Sequence, residues 1–155
     1  MMSSSGLKPL FLALTLAVAT PGVGLAASAA EVKAEANTKL VLAMWKGVID
    51  EASEAAVMRY IAPDYIQHNT KLPNGRAGLL EGVRRLKHPV PGQPPHPKKT
   101  LIHAVAQGDL VVLTWVGQAD DPDHPGKTRM VNRFDMFRVA DGLVREHWDD
   151  ASGAR

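Results

Sequence analysis

The order of the hydrophobic patterns along this chain predicts a single α+β domain in which helices pack on one face of an antiparallel sheet. Three observations lead to this prediction. In the first half of the chain, apolar residues recur at steps of three and four, whereas the second half carries consecutive runs of β-branched and aromatic residues. The turns between those runs are short, and strands joined by short turns pair in antiparallel order. No internal repeat is visible in the 155 residues.

The chain begins with a segment, residues 1–30, that has the composition of a secretory signal peptide. A lysine precedes the apolar stretch of residues 10–18, and small residues follow where a signal peptidase would cut. The apolar stretch is too short for a membrane anchor and is followed by proline and glycine. We therefore expect cleavage after Ala29 or Ala30, a periplasmic or secreted location, and no membrane association of the remaining domain, residues 31–155.

Three helices are predicted before the sheet. Residues 31–51 carry a broad apolar stripe that includes Trp45, residues 53–61 form a shorter helix with Ser53 as a possible N-cap, and residues 76–87 form the third. A tryptophan in such a stripe usually belongs to the core, although beside a cavity it can also supply an aromatic wall. The short link between the first two helices favours a helical hairpin that packs onto a flatter element.

The strands follow, after an extended segment at residues 65–68. The pattern predicts four consecutive strands, at residues 100–106, 110–117, 128–139 and 143–149.

Composition and charge narrow the classes of function. The net charge is +2, and Lys8 is the only charged residue before Glu31, so removal of the leader gives 2 − 1 = +1. Basic residues are not clustered with aromatic ones, and a nucleic-acid partner is therefore not expected. The absence of cysteine excludes disulfides, thiol catalysis and thiolate metal sites. Neither a Gly-x-Ser-x-Gly nucleophile elbow nor a phosphate-binding glycine loop is present.

The last two strands form a predicted β-hairpin with ionisable residues on one face. With a three-residue loop at residues 140–142, Asp135 faces His147 and Arg133 faces Asp149. One interpretation is a surface strand pair with ion pairs that contribute little to stability. The other is a carboxylate and an imidazole beside each other at the wall of a cavity, as acid–base catalysis requires.

Three motifs of this chain resemble, in order and spacing, those of the SnoaL-like polyketide cyclase family in the nuclear-transport-factor-2-like superfamily. They are residues 134–149, residues 65–69 with the turn at 73–76, and residues 107–112. The resemblance extends over residues 38–150. It implies a cone-shaped barrel made of a curved antiparallel sheet, with the N-terminal helices packed over its concave face.

The resemblance also implies a reaction and a set of residues. An aspartate of this family removes a proton from an activated methylene, and the enolate formed closes a ring by aldol addition. The candidate catalytic residues are Asp135, His147 and His68, with His68 across the cavity from the other two. We therefore expect a lyase or isomerase that acts on a small hydrophobic carbonyl compound without a cofactor or a metal.

The residues expected to contact that compound are mostly aromatic: Trp45, Tyr65, His103, Trp115, Phe137 and Trp148. Apolar strands such as residues 111–115, together with the habit of the family, predict a homodimer.

Other functions remain open at the level of sequence. Arg133, Asp135 and Asp149 could form the water-activating aspartate–arginine–aspartate set of an epoxide hydrolase, which is another activity of the superfamily. The fold would also suit a binding module without catalysis, because fold alone does not determine function.

A metal site is the least favoured alternative. His68, His147 and Asp149, joined by His103, offer suitable ligand types, but they lack the close helical spacing typical of metal-binding histidines.

Overall fold

The structure, a computed structural model, describes residues 27–89, 91 and 99–150. Most of the expected signal peptide, residues 1–26, lies outside this described part. The helical elements are α1 (Ala29–Trp45), a π-helical turn (Lys46–Asp50) that continues α1 directly, α2 (Glu54–Tyr60) and α3 (Gly75–Lys87). Within the described residues, no helix has both the length and the hydropathy needed to cross a membrane.

Both of the first two helices begin at a serine cap. The Ser28 hydroxyl accepts a hydrogen bond from the Glu31 amide at 3.2 Å, and the Glu31 carboxylate accepts one from the Ser28 amide at 2.6 Å, which completes a capping box. The predicted cap of α2 is confirmed, because Ser53 Oγ accepts from the Ala56 amide at 3.2 Å. Cleavage after Ala29 or Ala30 would remove Ser28, so the first turn of α1 would lose this cap.

Five strands form one sheet in the order β1-β5-β4-β3-β2. They are β1 (Ile61–Gln67), β2 (Lys99–Gln107), β3 (Leu110–Asp120), β4 (Thr128–Ala140) and β5 (Leu143–Asp149). The prediction of an α+β fold with helices on a curved sheet is confirmed. The curved sheet is open instead of closing into a barrel, and β1 runs parallel to β5 at one edge. That edge was not predicted as parallel, since the pattern of short turns concerns only β2 to β5.

The face of the sheet that packs on the helices is called the inner face, and the opposite one the outer face. Leu113 and Phe137 of the inner face form one core cluster with Val41, Met44 and Val48 of the first helical stretch. All five side chains are almost fully buried. This apolar contact holds the first helical stretch over the centre of the sheet.

The β4–β5 hairpin differs from the predicted register by two residues. Its turn has two central residues, Asp141 and Gly142, with φ of 52° and 72°, and pairs Ala140 with Leu143. This is the positive-φ geometry of a type I′ turn, which Asp-Gly favours. A bulge at Arg145 then adds one more residue to β5.

As a result, Asp135 lies opposite Asp149, and Phe137 lies opposite His147. The predicted pairings of Asp135 with His147 and of Arg133 with Asp149 are therefore wrong. The turn and the bulge each shift the register by one residue, and beyond the bulge the two shifts together return residues 146–149 to their predicted faces. Between the turn and the bulge only one shift applies, so Val144 takes the place opposite Val139 that was predicted for Leu143. Asp135 and His147 are thus diagonal neighbours on the inner face.

Helix α3 is attached to β1 by a side chain and by close packing. Arg76 Nη2 donates to the Ile61 carbonyl at 2.7 Å. A Cβ atom at Gly78 would lie 2.5 Å from the Pro73 carbonyl oxygen, so only glycine permits this approach of α3 to the preceding loop. These contacts fix the side of the cavity that α3 covers.

Candidate functional site

A cavity of about 840 Å³ lies between the helices and the inner face of the sheet. Its apolar walls come mainly from the first helical stretch and from α3, with Met44, Trp45, Val48, Ile49, Leu79 and Leu86. Its polar groups come from the sheet and the residues after β1 and β5, among them Tyr65, Gln67, Asn69, Asp135, His147 and Asp149. A large apolar cavity with convergent polar groups is the usual form of a small-molecule site.

The hydrogen-bonded pair of Asp135 and His147 lies in this cavity. His147 Nε2 is 3.0 Å from Asp135 Oδ1, and the two residues are 8% and 5% exposed. The other carboxylate oxygen, Asp135 Oδ2, is buried and accepts no hydrogen bond from the residues that the structure describes. Lys99 Nζ lies 4.0 Å from it, which is beyond hydrogen-bonding distance. Asp135 therefore has one oxygen held by His147 and one that remains without a hydrogen bond.

The end of β1 holds His147 from its other side. His147 Nδ1 is 3.0 Å from Gln67 Oε1, and Phe137 stacks on the imidazole with ring centroids 4.7 Å apart. Gln67 can reach His147 because the two residues are paired in the parallel β1–β5 ladder. Next to them, Asn69 Nδ2 donates to Asp149 Oδ2 at 2.6 Å, which lowers the cost of placing Asp149 opposite Asp135.

Tyr65 contributes a neutral hydroxyl to the cavity. Its oxygen accepts a hydrogen bond from Gln67 Nε2 at 3.2 Å. Burial raises the pKa of Tyr65 well above its ordinary value of 10.0, and the carboxylates of Asp149 and Asp135 raise that pKa further. Tyr65 thus keeps its proton at neutral pH and can donate it in a hydrogen bond.

The structure places three predicted site residues outside the cavity, on the outer face. His68 stacks on Trp148 with centroids 4.4 Å apart, and its Nε2 is 2.9 Å from Glu146 Oε2. His103 is exposed and pairs with Thr114, an outer-face position of β3. The expectations that His68 lies across the cavity and that Trp148 and His103 contact the ligand are therefore corrected. Trp148 points outward because side chains alternate along β5 and its neighbours His147 and Asp149 both point inward.

The remaining aromatic candidates lie in or directly behind the cavity wall. Trp45, Tyr65 and Phe137 line the cavity. Trp115 is buried behind the wall, where it stacks on Trp45 at 4.4 Å between centroids. It therefore supports Trp45 and does not itself line the cavity.

The groups weighed for epoxide hydrolysis are only partly assembled. Asp135 and Asp149 face each other in the cavity, and Arg133 also lines it. The Arg133 guanidinium, however, donates to Asp150 at 2.5 Å. An arginine bridge between the two aspartates is therefore not formed.

One group of side chains in the described part could bind a metal ion. Ligand atoms of Asp135, His147 and Asp149 lie within 4.8 Å of one another. His68 and His103, weighed as ligands from the sequence, are on the other face of the sheet. Both ring nitrogens of His147 already have partners, Gln67 and Asp135, so a metal ion bound to His147 would have to displace one of these two hydrogen bonds.

No role was predicted from the sequence for Gln67, Asn69 or Lys99. For Gln67 a signal existed, since strand alternation places it on the same face as Tyr65. Asn69 lies just beyond β1, and Lys99 is the first residue of β2, where alternation gives little guidance. Their positions depend on how the ends of the strands approach the cavity.

Residues 41–147 match the family model described as the SnoaL-like domain. Among solved structures, a proposed polyketide cyclase from Acidithiobacillus ferrooxidans is 25% identical, with 74% of this chain and 86% of that chain covered and a TM-score of 0.54. A proposed SnoaL-like polyketide cyclase from Jannaschia sp. CCS1 is 19% identical, with coverage of 82% and 92% and a TM-score of 0.56.

An epoxide hydrolase from M. tuberculosis, of the LEH-like type, is 15% identical, with coverage of 76% and 83% and a TM-score of 0.55. At such identity the second and third likenesses concern the fold alone. No curated protein matches this sequence.

Proposed function

The chain belongs to the SnoaL-like domain family, and we propose that it is an acid–base enzyme that forms an enolate from a small hydrophobic carbonyl compound, as an aldol-type cyclase, lyase or isomerase. The observation that supports this proposal most is the buried Asp135–His147 pair in an apolar cavity. The 25% identical structure from Acidithiobacillus ferrooxidans, which is named as a proposed polyketide cyclase, agrees with it.

In the proposed reaction, Asp135 is the base. Its Oδ2 accepts the proton from the carbon next to the substrate carbonyl, and the electrons of the broken C–H bond move into the carbonyl group to give an enolate. His147 holds Oδ1 and so fixes the orientation of the carboxylate. A positioned base of this kind contributes on the order of 10²- to 10⁴-fold to a rate.

Tyr65 is the proposed donor to the enolate oxygen. Because its pKa is raised, its hydroxyl stays protonated and can stabilise negative charge as it develops on that oxygen. The apolar walls, including Trp45 and Phe137, suit a hydrophobic substrate and lower the local dielectric, which strengthens this hydrogen bond.

The test is turnover of carbonyl compounds that first raise the melting temperature of the protein. Asp135→Asn should lose turnover by about 10²-fold or more and keep its melting temperature. Asp123→Asn is the matched control, because Asp123 is exposed in the β3–β4 loop. Unchanged turnover in Asp135→Asn would contradict the proposal, and binding without any product would favour a non-catalytic binding module.

Epoxide hydrolysis is the second candidate, because Asp135 and Asp149 face each other in the cavity. It would require Arg133 to leave Asp150 and bridge the two aspartates. Incubation with simple epoxides in ¹⁸O-labelled water distinguishes the two activities, since only a hydrolase would form a labelled diol.

Export of the protein and its assembly as a homodimer are proposed as well. Export is supported by the composition of residues 1–30, and mass spectrometry of the exported protein should find an N-terminus after Ala29 or Ala30. Dimerisation is supported by Val105, Met130 and Phe134, which are 63%, 62% and 52% exposed. Light scattering that finds a monomer at micromolar concentration would contradict the homodimer.

A further inference from the structure

The carboxamide of Gln67 is held in a single orientation. Gln67 is 3% exposed, and its Oε1 accepts a hydrogen bond from the backbone amide of Asn69 at 3.0 Å. A backbone N–H can only donate, so the atom that faces it must be the oxygen. The flipped amide would place two N–H donors against each other in a buried site, at a cost of a lost hydrogen bond.

This orientation determines the tautomer of His147. Gln67 Oε1 is also 3.0 Å from His147 Nδ1, and an oxygen that accepts there requires Nδ1 to carry a proton. The proton on Nδ1 therefore follows from one backbone amide, through the carboxamide that this amide orients.

The other ring nitrogen then has a defined relation to Asp135. His147 Nε2 is 3.0 Å from Asp135 Oδ1, and both residues are buried. An unprotonated Nε2 against an ionised carboxylate would bring two lone pairs together, so one proton must lie between the two atoms. In this hydrogen bond the proton occupies Oδ1. With the proton bonded to nitrogen, Asp135 is an ionised carboxylate and Oδ2 is its oxygen able to accept another proton, whereas a proton moved fully to Oδ1 would give a neutral carboxylic acid that is not a base.

We propose that Gln67 is a positioning residue that holds His147 as the Nδ1–H form, so that the Asp135–His147 pair keeps one shared proton and offers Oδ2 as the base. This inference rests on the proposed function for the role of Oδ2, whereas the protonation of His147 is independent of any reaction. Gln67 itself touches neither the reacting carbon nor the carbonyl in this scheme.

Two substitutions separate the acceptor role of Gln67 from its other contact. Gln67→Glu keeps an oxygen that can accept from Asn69 and His147 but loses the donor to Tyr65. Gln67→Leu loses both functions with little change in size. Tyr65→Phe removes only the Tyr65 contact and serves as the control for it.

The measurement is long-range ¹H–¹⁵N NMR of the imidazole nitrogens in the full chain, between about pH 6 and pH 8, around the ordinary histidine pKa. His147→Gln identifies the His147 signals among the six histidines. We expect a protonated Nδ1 throughout in the wild type, in Gln67→Glu and in Tyr65→Phe, and loss of that state in Gln67→Leu. A wild-type His147 without a proton on Nδ1, or a Gln67→Leu protein that keeps it, would overturn the inference.

The wild-type and Gln67→Glu spectra decide the question even if Gln67→Leu does not fold. The activity arm uses a substrate found for the wild type: Gln67→Leu should lower kcat more than it changes KM and should shift the pH profile, and Gln67→Glu should restore most of kcat. If the NMR result is as expected and no carbonyl compound is turned over, the proposed function fails and the inference about Gln67 stands.

Discussion

Two histidine–carboxylate pairs of almost equal length lie on opposite sides of β5. On the inner face, His147 is 3.0 Å from Asp135, and on the outer face His68 is 2.9 Å from Glu146. Each imidazole also stacks on an aromatic ring, Phe137 on the inner face and Trp148 on the outer. Hydrogen-bond length and ring stacking therefore do not distinguish a catalytic pair from a structural one.

The surroundings of the two carboxylates do distinguish them. Glu146 is also bound by Arg138, whose Nε lies 2.8 Å from Glu146 Oε1, so both of its oxygens are occupied. Asp135 has an oxygen that no group in the described part of the chain hydrogen-bonds, and Asp135 lies in a cavity of about 840 Å³ with apolar walls. Only the inner carboxylate can accept a proton from a bound molecule, and the following predictions test this difference.

The largest expected effect is on turnover. His147→Gln should lower kcat by about 10²-fold or more, because Asp135 loses the group that orients it. His68→Gln should leave kcat within about threefold, since its contacts are to Glu146 and Trp148 outside the cavity. Steady-state kinetics of the two variants provides the comparison, and an equal loss in both would remove the distinction between the faces.

The two aromatic supports should differ in their contribution to stability. Phe137 is 4% exposed and belongs to the core cluster, so Phe137→Ala should lower the free energy of unfolding by about 3–5 kcal/mol. Trp148 is half-buried on the outer face, and Trp148→Ala should cost about 2 kcal/mol or less. Urea denaturation measures both values, and a larger loss for Trp148→Ala would contradict the assignment of the core.

A smaller effect is expected at alkaline pH. Because the pKa of Tyr65 is raised in the folded protein, only the unfolded chain releases this proton just above pH 10, the ordinary tyrosine value. The neutral Tyr65 hydroxyl therefore contributes its full stabilisation of the folded protein below that pH. This contribution is lost as the pH rises towards the pKa of the folded state, and the free energy of unfolding should fall by about 1 kcal/mol at one pH unit above the ordinary value.

Tyr65→Phe should remove that component of the alkaline loss, as measured by urea denaturation between about pH 9 and pH 11 around the ordinary tyrosine pKa. Tyr60→Phe is the matched control, because Tyr60 lies outside the cavity lining. If the free energy of unfolding had the same pH dependence in the wild type and in Tyr65→Phe, the raised pKa of Tyr65 would be contradicted.

The amino-acid sequence was sufficient to predict the α+β fold and the shared face of Asp135, His147 and Asp149, although Trp148 of β5 was expected at the ligand and lies on the outer face. Period-2 alternation placed Asp135 and His147 together, and it did so although the register was wrong by two residues. The bulge at Arg145 has no marker in the sequence, because it depends on how β5 pairs with both of its neighbours. Because the two shifts compensate each other, the predicted face of Asp135 and His147 is correct, whereas the residues predicted to lie opposite them are wrong.

The outer position of His68 could not be predicted in the same way. The residue lies just beyond β1, where its backbone amide donates to the His147 carbonyl at 3.0 Å. The parallel pairing of β1 with β5 decides its direction, and strand patterns do not report which strands become neighbours. For the same reason the contact between Gln67 and His147 is visible only in three dimensions.

Exchange of solvent deuterium into an apolar 1,3-diketone tests the central claim most directly, because it reports removal of a carbon-bound proton without knowledge of the natural substrate. The wild type and Glu146→Gln should both accelerate exchange at the carbon between the carbonyl groups, and Asp135→Asn should reduce that acceleration by about 10²-fold or more. Exchange that is equally fast in the wild type and in Asp135→Asn would contradict the assignment of Asp135 as the base.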